Sequence, residues 1–289
     1  MRTYRKLDPF LFLALPLLTY MAVVLVPVVA SIYYSFTNWN GISEITFVGF
    51  DNYVKMFKDP NLGMVLLNTL LYSATATIFQ VGGGLFLAVL VSRVKKGSSL
   101  LRVLLFTPVV ISSMAMAQTF KKLLSINPDG VVNALLEAIG LSQFKMAFLA
   151  DMHITLFVLA IIESLRFAGL YMVVFYTALV AIDKEVLEAS SIDGASGIQS
   201  LFRIQFPMIS GIIINCLVLA VVGTLKAFDG PYIMTNGGPG YSTELLSIYM
   251  YKRAFNMMDY GYSSALAVLM VIICIAAYRL LDRMTREKM

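Results

Sequence analysis

Six times between Phe10 and Leu281 the sequence returns to a run of about 20 or more mostly apolar residues, the length needed to cross a hydrocarbon core of about 30 Å as a helix. The runs cover residues 10–34, 64–91, 100–120, 154–182, 208–228 and 263–281. Lipid offers no water to backbone N–H and C=O groups, so such runs must close their hydrogen bonds internally as helices. The expected fold is an all-α integral membrane protein of about six transmembrane helices, forming one domain over residues 1–289. Composition agrees, with 59% hydrophobic residues, 13% charged residues and a mean hydropathy of +0.80. Pro16, Pro27 and the run Gly82-Gly83-Gly84 are tolerable inside such helices where neighbours pack closely or re-satisfy the backbone.

Basic residues mark the side on which a loop is retained. One set of loops and ends carries Arg2, Arg5, Lys6, Arg93, Lys95, Lys96, Arg102, Lys184, Arg203, Arg279, Arg283, Arg286 and Lys288. The alternate loops carry only Lys55, Lys58, Lys121, Lys122, Lys145, Lys252 and Arg253. Both termini are therefore expected in the cytoplasm. The net charge of +5 lies in clusters beside apolar runs rather than along one face, which argues against a nucleic-acid partner. The first run is too long for a signal-peptide core of about 7 to 15 residues, so it reads as a retained helix. Tyr33, Tyr34, Trp39 and Phe50 suit an aromatic belt at the outer interface.

Several chemistries find no support. Cys216 and Cys274 lie in apolar runs as small buried hydrophobes. His153, the single histidine, has no Cys or second His at metal-ligand spacing, so no metal site is expected. No G-x-x-x-x-G-K-[ST] phosphate loop occurs.

The loop over residues 183–207 is long for a helical bundle and is patterned. Leu187 and Ser191 at i, i+4 spacing, with Ala189 and Ile192, predict a short amphipathic helix. Asp193-Gly194 reads as a turn, and Ile198, Leu201, Phe202, Gln205 and Phe206 line a second helix that Pro207 should stop. The resulting hairpin, apolar on one face, suits either a groove on a partner protein or a lipid headgroup layer.

The segment Glu188-Ala189-Ser190-Ser191-Ile192-Asp193-Gly194-Ala195, followed by Phe202, Ile204 and Pro207, resembles the EAA motif of binding-protein-dependent ABC permeases, with Ser190 replacing the second Ala. The resemblance extends to Phe47-Val48-Gly49-Phe50-Asp51-Asn52-Tyr53, Asn68-Thr69, Thr235-Asn236-Gly237-Gly238-Pro239, and Tyr249, Tyr251, Ala254 and Phe255, and points to the sugar-permease branch typified by maltose and glycerol-phosphate importers. It implies a non-catalytic, multi-pass subunit of a bacterial or archaeal cytoplasmic (inner) membrane that imports a sugar or related polar solute. It also implies a second permease subunit, in a heterodimer, two ATPase subunits carrying ATP and Mg, and an extracytoplasmic solute-binding protein; this chain carries no cofactor. Glu188, Ala189, Ser190, Asp193, Gly194, Ala195 and Pro207 would then form the ATPase-coupling surface. The turn Asn236-Gly237-Gly238-Pro239 is either structural punctuation or a docking point for the binding protein.

Charges within a bilayer are costly and face a bundle interior or a cavity. Glu163 and Arg166, spaced i, i+3, can pair for structure or contact a solute, and Lys226 and Asp229 repeat that spacing. The outer part of the corresponding helix supplies solute contacts in the resembling family, making Thr224, Lys226 and Asp229 the first candidates, with Asn215 deeper. Phe228 and Tyr232 would supply apolar faces for a sugar ring. Lys226 would equally serve a phosphate or carboxylate. The competing classes are an intramembrane lipid-modifying enzyme using His153, Glu163 and Arg166, and an ion-coupled secondary transporter. The first lacks a metal set, nucleophile motif or phosphate loop, the second lacks an evident internal repeat, and the EAA-like hairpin argues against both.

Overall fold

Hydropathy marks where a chain can cross a bilayer but not where it bends, and the computed structural model adds the bends. It describes residues 8–127 and 129–286; of the charge pattern, Arg2, Arg5, Lys6 and Lys288 lie outside the described residues. Among the described residues four helices are long and apolar enough to span: α1 (Leu13–Tyr34), α3 (Leu62–Ser92), α7 (Thr155–Val180) and α13, whose spanning part is Tyr260–Arg283. Two bent pairs bring the number to six if each forms one span. They are α4 (Ser98–Val110) with α5 (Ser113–Leu123), at 94°, and α9 (Gly197–Met208) with α10 (Ser210–Leu225), at 71°.

The chain divides into two compact units. The first holds residues up to Leu62 together with Met250–Ile272. Its α1 is exposed along the spanning window. A wide five-residue turn, Met21–Leu25, precedes Pro27, which then occupies the first turn of the next helical stretch, where a missing N–H does little harm. The strands β1 (Thr37–Asn38) and β2 (Thr46–Phe47) pair antiparallel, Thr37 opposite Phe47. From α2 (Asp51–Lys58), the Asn52 amide donates to the carbonyls of Ser35 and Thr37, both at 2.9 Å. Asp59 accepts from the Tyr262 hydroxyl at 2.7 Å and from Arg253 at 3.2 Å. Trp39 stacks on Tyr34, with centroids 4.6 Å apart, and tilts against Tyr260 at 5.3 Å, so part of the expected aromatic belt is a packed cluster.

The second unit holds Gly63–Tyr249 and the residues from Ile273 on. Its core joins α3 and α7 around Val81, Ala88, Met172, Phe175 and Leu179, and a second cluster gathers Tyr72, Ala76, Leu159, Met234 and Ile248. The close approach rests on Gly84, where a Cβ would lie 2.6 Å from the Tyr171 Cβ. Gly82 meets nothing within 4 Å, so of the glycine run it is Gly84 that packs. A second approach is tighter, since a Cβ on Gly169 of α7 would stand 1.9 Å from the Leu105 carbonyl oxygen of α4. Between α5 and α7, α6 (Val131–Ala138) is held by the Asn133 amide, which donates to the Met146 carbonyl at 3.2 Å.

Three expectations need correction. The third run is not one helix: after Pro108, Ile111 and Ser112 turn extended and α5 leaves in a new direction. The fifth run yields a helix that ends at Leu225, so Lys226 and Phe228 lie in a break and Asp229 opens α11 (Asp229–Thr235). Pro207 does not stop the second hairpin helix. The wide turn Leu201–Gln205 precedes it, Pro207 sits in the first turn of the stretch that follows, and the change of direction comes at Ile209.

Candidate functional site

In mid-span α7 places Glu163 and Arg166 one turn apart, and they pair at 3.5 Å between Glu163 Oε1 and Arg166 Nη1. Both side chains are more than four-fifths shielded, the setting in which pairing offsets the cost of burying charge. The guanidinium also lies over the Phe167 ring, 4.8 Å from its centroid, while its buried Nε finds no hydrogen-bond acceptor among the described residues. Gly230, beside the start of α11, comes so close that a Cβ there would lie 3.3 Å from Glu163 Oε2.

Beside this pair opens a cavity of about 200 Å³. Glu163, Phe167 and Tyr171 of α7 line it together with Gln80 of α3 and Leu219 and Thr224 of α10. Gln80 was missed in the sequence, although a lone amide within an apolar run next to three glycines was a usable signal. It sits in the wide turn Ile78–Gly82, an insertion often found at functional sites.

The other pathway candidates divide. Thr224 lines the cavity but is 4% exposed and its hydroxyl is committed: it donates to the Ala220 carbonyl at 2.8 Å and lies 2.7 Å from the Ser73 hydroxyl. Lys226 and Asp229 are exposed, outside the cavity lining, and no ion pair joins them among the described residues, because the break at the end of α10 separates them. Asn215 is exposed on α10. Phe228 and Tyr232 stack at 4.9 Å with planes 16° apart. His153 is exposed, its backbone N–H donating to the Asp151 carboxylate at 2.7 Å, which is turn chemistry. Cys216 and Cys274 are free thiols.

The loop over residues 183–207 folds as a hairpin. Its first helix, α8 (Lys184–Ile192), closes with Gly194 in the left-handed region at φ +81° and with the Ala195 N–H donating to the Ser190 carbonyl at 3.0 Å. Ser196 caps α9 reciprocally: Gln199 N–H donates to its hydroxyl, and its own N–H donates to Gln199 Oε1. The Ser190 hydroxyl is buried, donates to the Leu187 carbonyl at 2.8 Å and lies 3.4 Å from that of Ser200, so this position tethers the two arms. Leu187 and Phe206 pack on the core beside Ile182 and Ile209. Outward, Glu188, Ala189, Asp193 and Pro207 are exposed, as are Ile192 (86%), Ile198 (68%) and Phe202 (64%). A groove of about 450 Å³ runs along Lys184, Leu187, Glu188, Ser191 and Ile192.

The segment at residues 235–239 is a knotted turn. Asn236 and Gly237 take φ of +50° and +83°, Gly238–Pro239 is cis, and the Thr243 hydroxyl donates to the Gly238 carbonyl at 2.7 Å. Asn68 and Thr69 of α3 hold the chain beyond it: the Asn68 amide donates to the Tyr241 carbonyl at 2.7 Å, and Thr69 Oγ1 accepts from Leu246 N–H at 2.9 Å.

Residues 80–288 match the family described as binding-protein-dependent transport system inner membrane component. The probable ABC transporter permease protein YurN of Bacillus subtilis is 36% identical over 275 residues, covering 94% of this chain and 93% of that one. The lactose transport system permease protein LacF of Rhizobium radiobacter is 30% identical over 280 residues, covering 96% and 93%. Among solved structures, a chain of a bacterial ABC transporter involved in import of the acidic polysaccharide alginate superposes with a TM-score of 0.84 at 22% identity, over 98% of this chain and 96% of that one. At that identity the likeness concerns the fold.

Proposed function

Because this chain belongs to the family of binding-protein-dependent transport system inner membrane components, we propose that it forms half of the pore of an ABC importer that passes a sugar or related polar solute into the cytoplasm. The chain is a multi-pass membrane permease and carries out no covalent chemistry; ATP hydrolysis belongs to a partner of its family. The observation that carries the coupling reading is the α8–α9 hairpin, a rigid knob tied by Ser190 and turned at Gly194, with Glu188 and three large apolar side chains facing outward. Such a surface suits a groove on another protein. On this reading an ATPase that closes on ATP and Mg draws two hairpins together and tilts the helices attached to them. Glu188, Ala189, Ser190, Asp193, Gly194, Ala195 and Pro207 make up that surface, and both termini share its cytoplasmic side.

The sugar reading is supported by relatives named for lactose, for multiple sugars and for starch degradation products, and by a mid-span cavity that combines polar groups with an aromatic face. Glu163, Arg166, Asn215, Lys226, Phe228, Asp229 and Tyr232 mark the solute path, with Thr224 tying its wall, and residues 236–239 the docking turn for an extracytoplasmic solute-binding protein. A second, different permease completes the pore, residues 1–289 act as one transmembrane domain, and lipid surrounds the apolar helix faces. The test is purification of the assembly from membranes, identification of co-eluting chains, and measurement of solute-dependent ATP hydrolysis after reconstitution. Recovery of an ATPase, a second permease and solute-stimulated turnover is expected; a chain that purifies alone and transports without ATP would sink the proposal.

A further inference from the structure

Gln80 is the unexplained polar group of the mid-span cavity. Its side chain is 3% exposed and lines the cavity, yet among the described residues nothing hydrogen-bonds to its amide. Its side chain faces the cavity without a protein partner among those residues, so its natural complement is a ligand with paired donors and acceptors. The cavity's charge narrows that ligand. Its one charged lining residue is Glu163, whose partner Arg166 already holds it, and Lys226 is exposed and outside the lining. An entering anion would therefore meet a carboxylate rather than a free cation, while a neutral hydroxylated ring would find the amide at its rim and Phe167 beside its apolar face. The volume, about 200 Å³, gives a single ring room to enter.

We infer that Gln80 is a specificity-determining contact in a site for one uncharged, hydroxyl-bearing ring, and that the Glu163–Arg166 pair, by holding the guanidinium, leaves carboxylated and phosphorylated solutes no free cation to bind. This rests on the permease reading and deepens it. The test uses the assembled importer with Cys216→Ala and Cys274→Ala, into which Gln80→Cys is introduced. Leu219→Cys, on the same cavity, serves as the second variant in case the first fails to reach the membrane. Two thiol reagents are compared, a glucosyl methanethiosulfonate and an anionic sulfonatoethyl methanethiosulfonate, each rate being divided by that with free cysteine. The glucosyl reagent should react faster by about tenfold or more, and adding Glu163→Gln, which frees the Arg166 charge, should bring the sulfonate level or ahead. A sulfonate that reacts as fast as the sugar reagent without that change, no reaction at either position, or rates indifferent to Glu163→Gln would overturn the inference. Co-elution of the ATPase in the same preparation reports on the permease reading separately: an importer that assembles with its ATPase and labels sulfonate-first keeps that reading and loses this one.

Discussion

The Ser73 and Thr224 hydroxyls, on α3 and α10, stand 2.7 Å apart and both are buried. Thr224 spends its proton on the Ala220 carbonyl, leaving Ser73 to donate, so the pair is a cross-helix tie. Thr224→Val keeps the shape and leaves the Ser73 hydroxyl only its long 3.5 Å bond to the Val221 carbonyl, and should cost about 1 to 3 kcal/mol of stability. Thermal unfolding of the purified importer measures this. Solute affinity of the surviving protein should change less than twofold, and a selective loss of affinity at unchanged stability would return Thr224 to the solute path.

Gly194 offers a clean separation of strain from crowding. Its φ is +81°, and an added Cβ would meet nothing within 4 Å, so substitutions there act through the backbone alone. Gly194→Val should add about 1 to 3 kcal/mol of strain and misaim both arms, whereas Gly194→Asn, which tolerates this region better, should retain most uptake. Glu188→Lys reverses an exposed charge on the same surface and should weaken ATPase co-purification or uncouple it. All three should reach the membrane in normal amounts. Full uptake by both Gly194→Val and Glu188→Lys would remove the hairpin from coupling.

Gly169 and Gly84 set the spacing of helices. A Cβ on Gly169 would overlap the Leu105 carbonyl, which no rotamer change relieves, so Gly169→Ala should abolish accumulation of folded permease. Gly84→Ala presses on the Tyr171 Cβ and should be nearly as severe. Gly82→Ala, facing open space, should accumulate like wild type, and immunoblots of membrane fractions read all three.

Lys145 ties its loop by donating to Asp129 at 2.5 Å and Glu137 at 3.0 Å, and these bonds raise its pKa. A raised folded value means the contribution is whole below the ordinary value of 10.5 and is lost only as pH climbs through the higher folded one. Amide-exchange protection of α6, corrected for intrinsic rate, should therefore hold between about pH 6 and about pH 9. Lys145→Met should lower it throughout that window. Protection that vanished near neutral pH in the wild type would assign the tie to other groups.

The sequence displays lengths and chemistry well and directions poorly. Runs of about 20 apolar residues identified α3, α7 and α13 because a regular helix needs only unbroken hydropathy. The i, i+3 rule carried Glu163 to Arg166 because one straight helix holds both, and it failed for Lys226 and Asp229 because the helix ends between them. Hydropathy continued through Ile111 and Ile209, where the chain turns by 94° and 71°, since an apolar side chain scores alike in either direction. Pro108 and Pro207, each followed within five residues by serine, were the local signs. Gly194 was legible through turn chemistry. Gln80 was not, because its meaning depends on the missing hydrogen-bond partner, which only neighbouring helices reveal.

The wide turn in α3 has the effect of a phase correction. Tyr72, Ala76, Gln80, Gly84 and Ala88 are all buried and recur every four residues. At about 100° per residue, four such steps would wind a regular helix about 160° off its starting face, carrying Ala88 nearly to the opposite side. The extra residue accommodated in Ile78–Gly82 takes back about 100° of that drift and keeps all five on the inward side. Counting by heptads along this span therefore misassigns its lower half, and deleting one residue from the turn would rotate Gly84 away from Tyr171 while leaving every apolar residue in the helix.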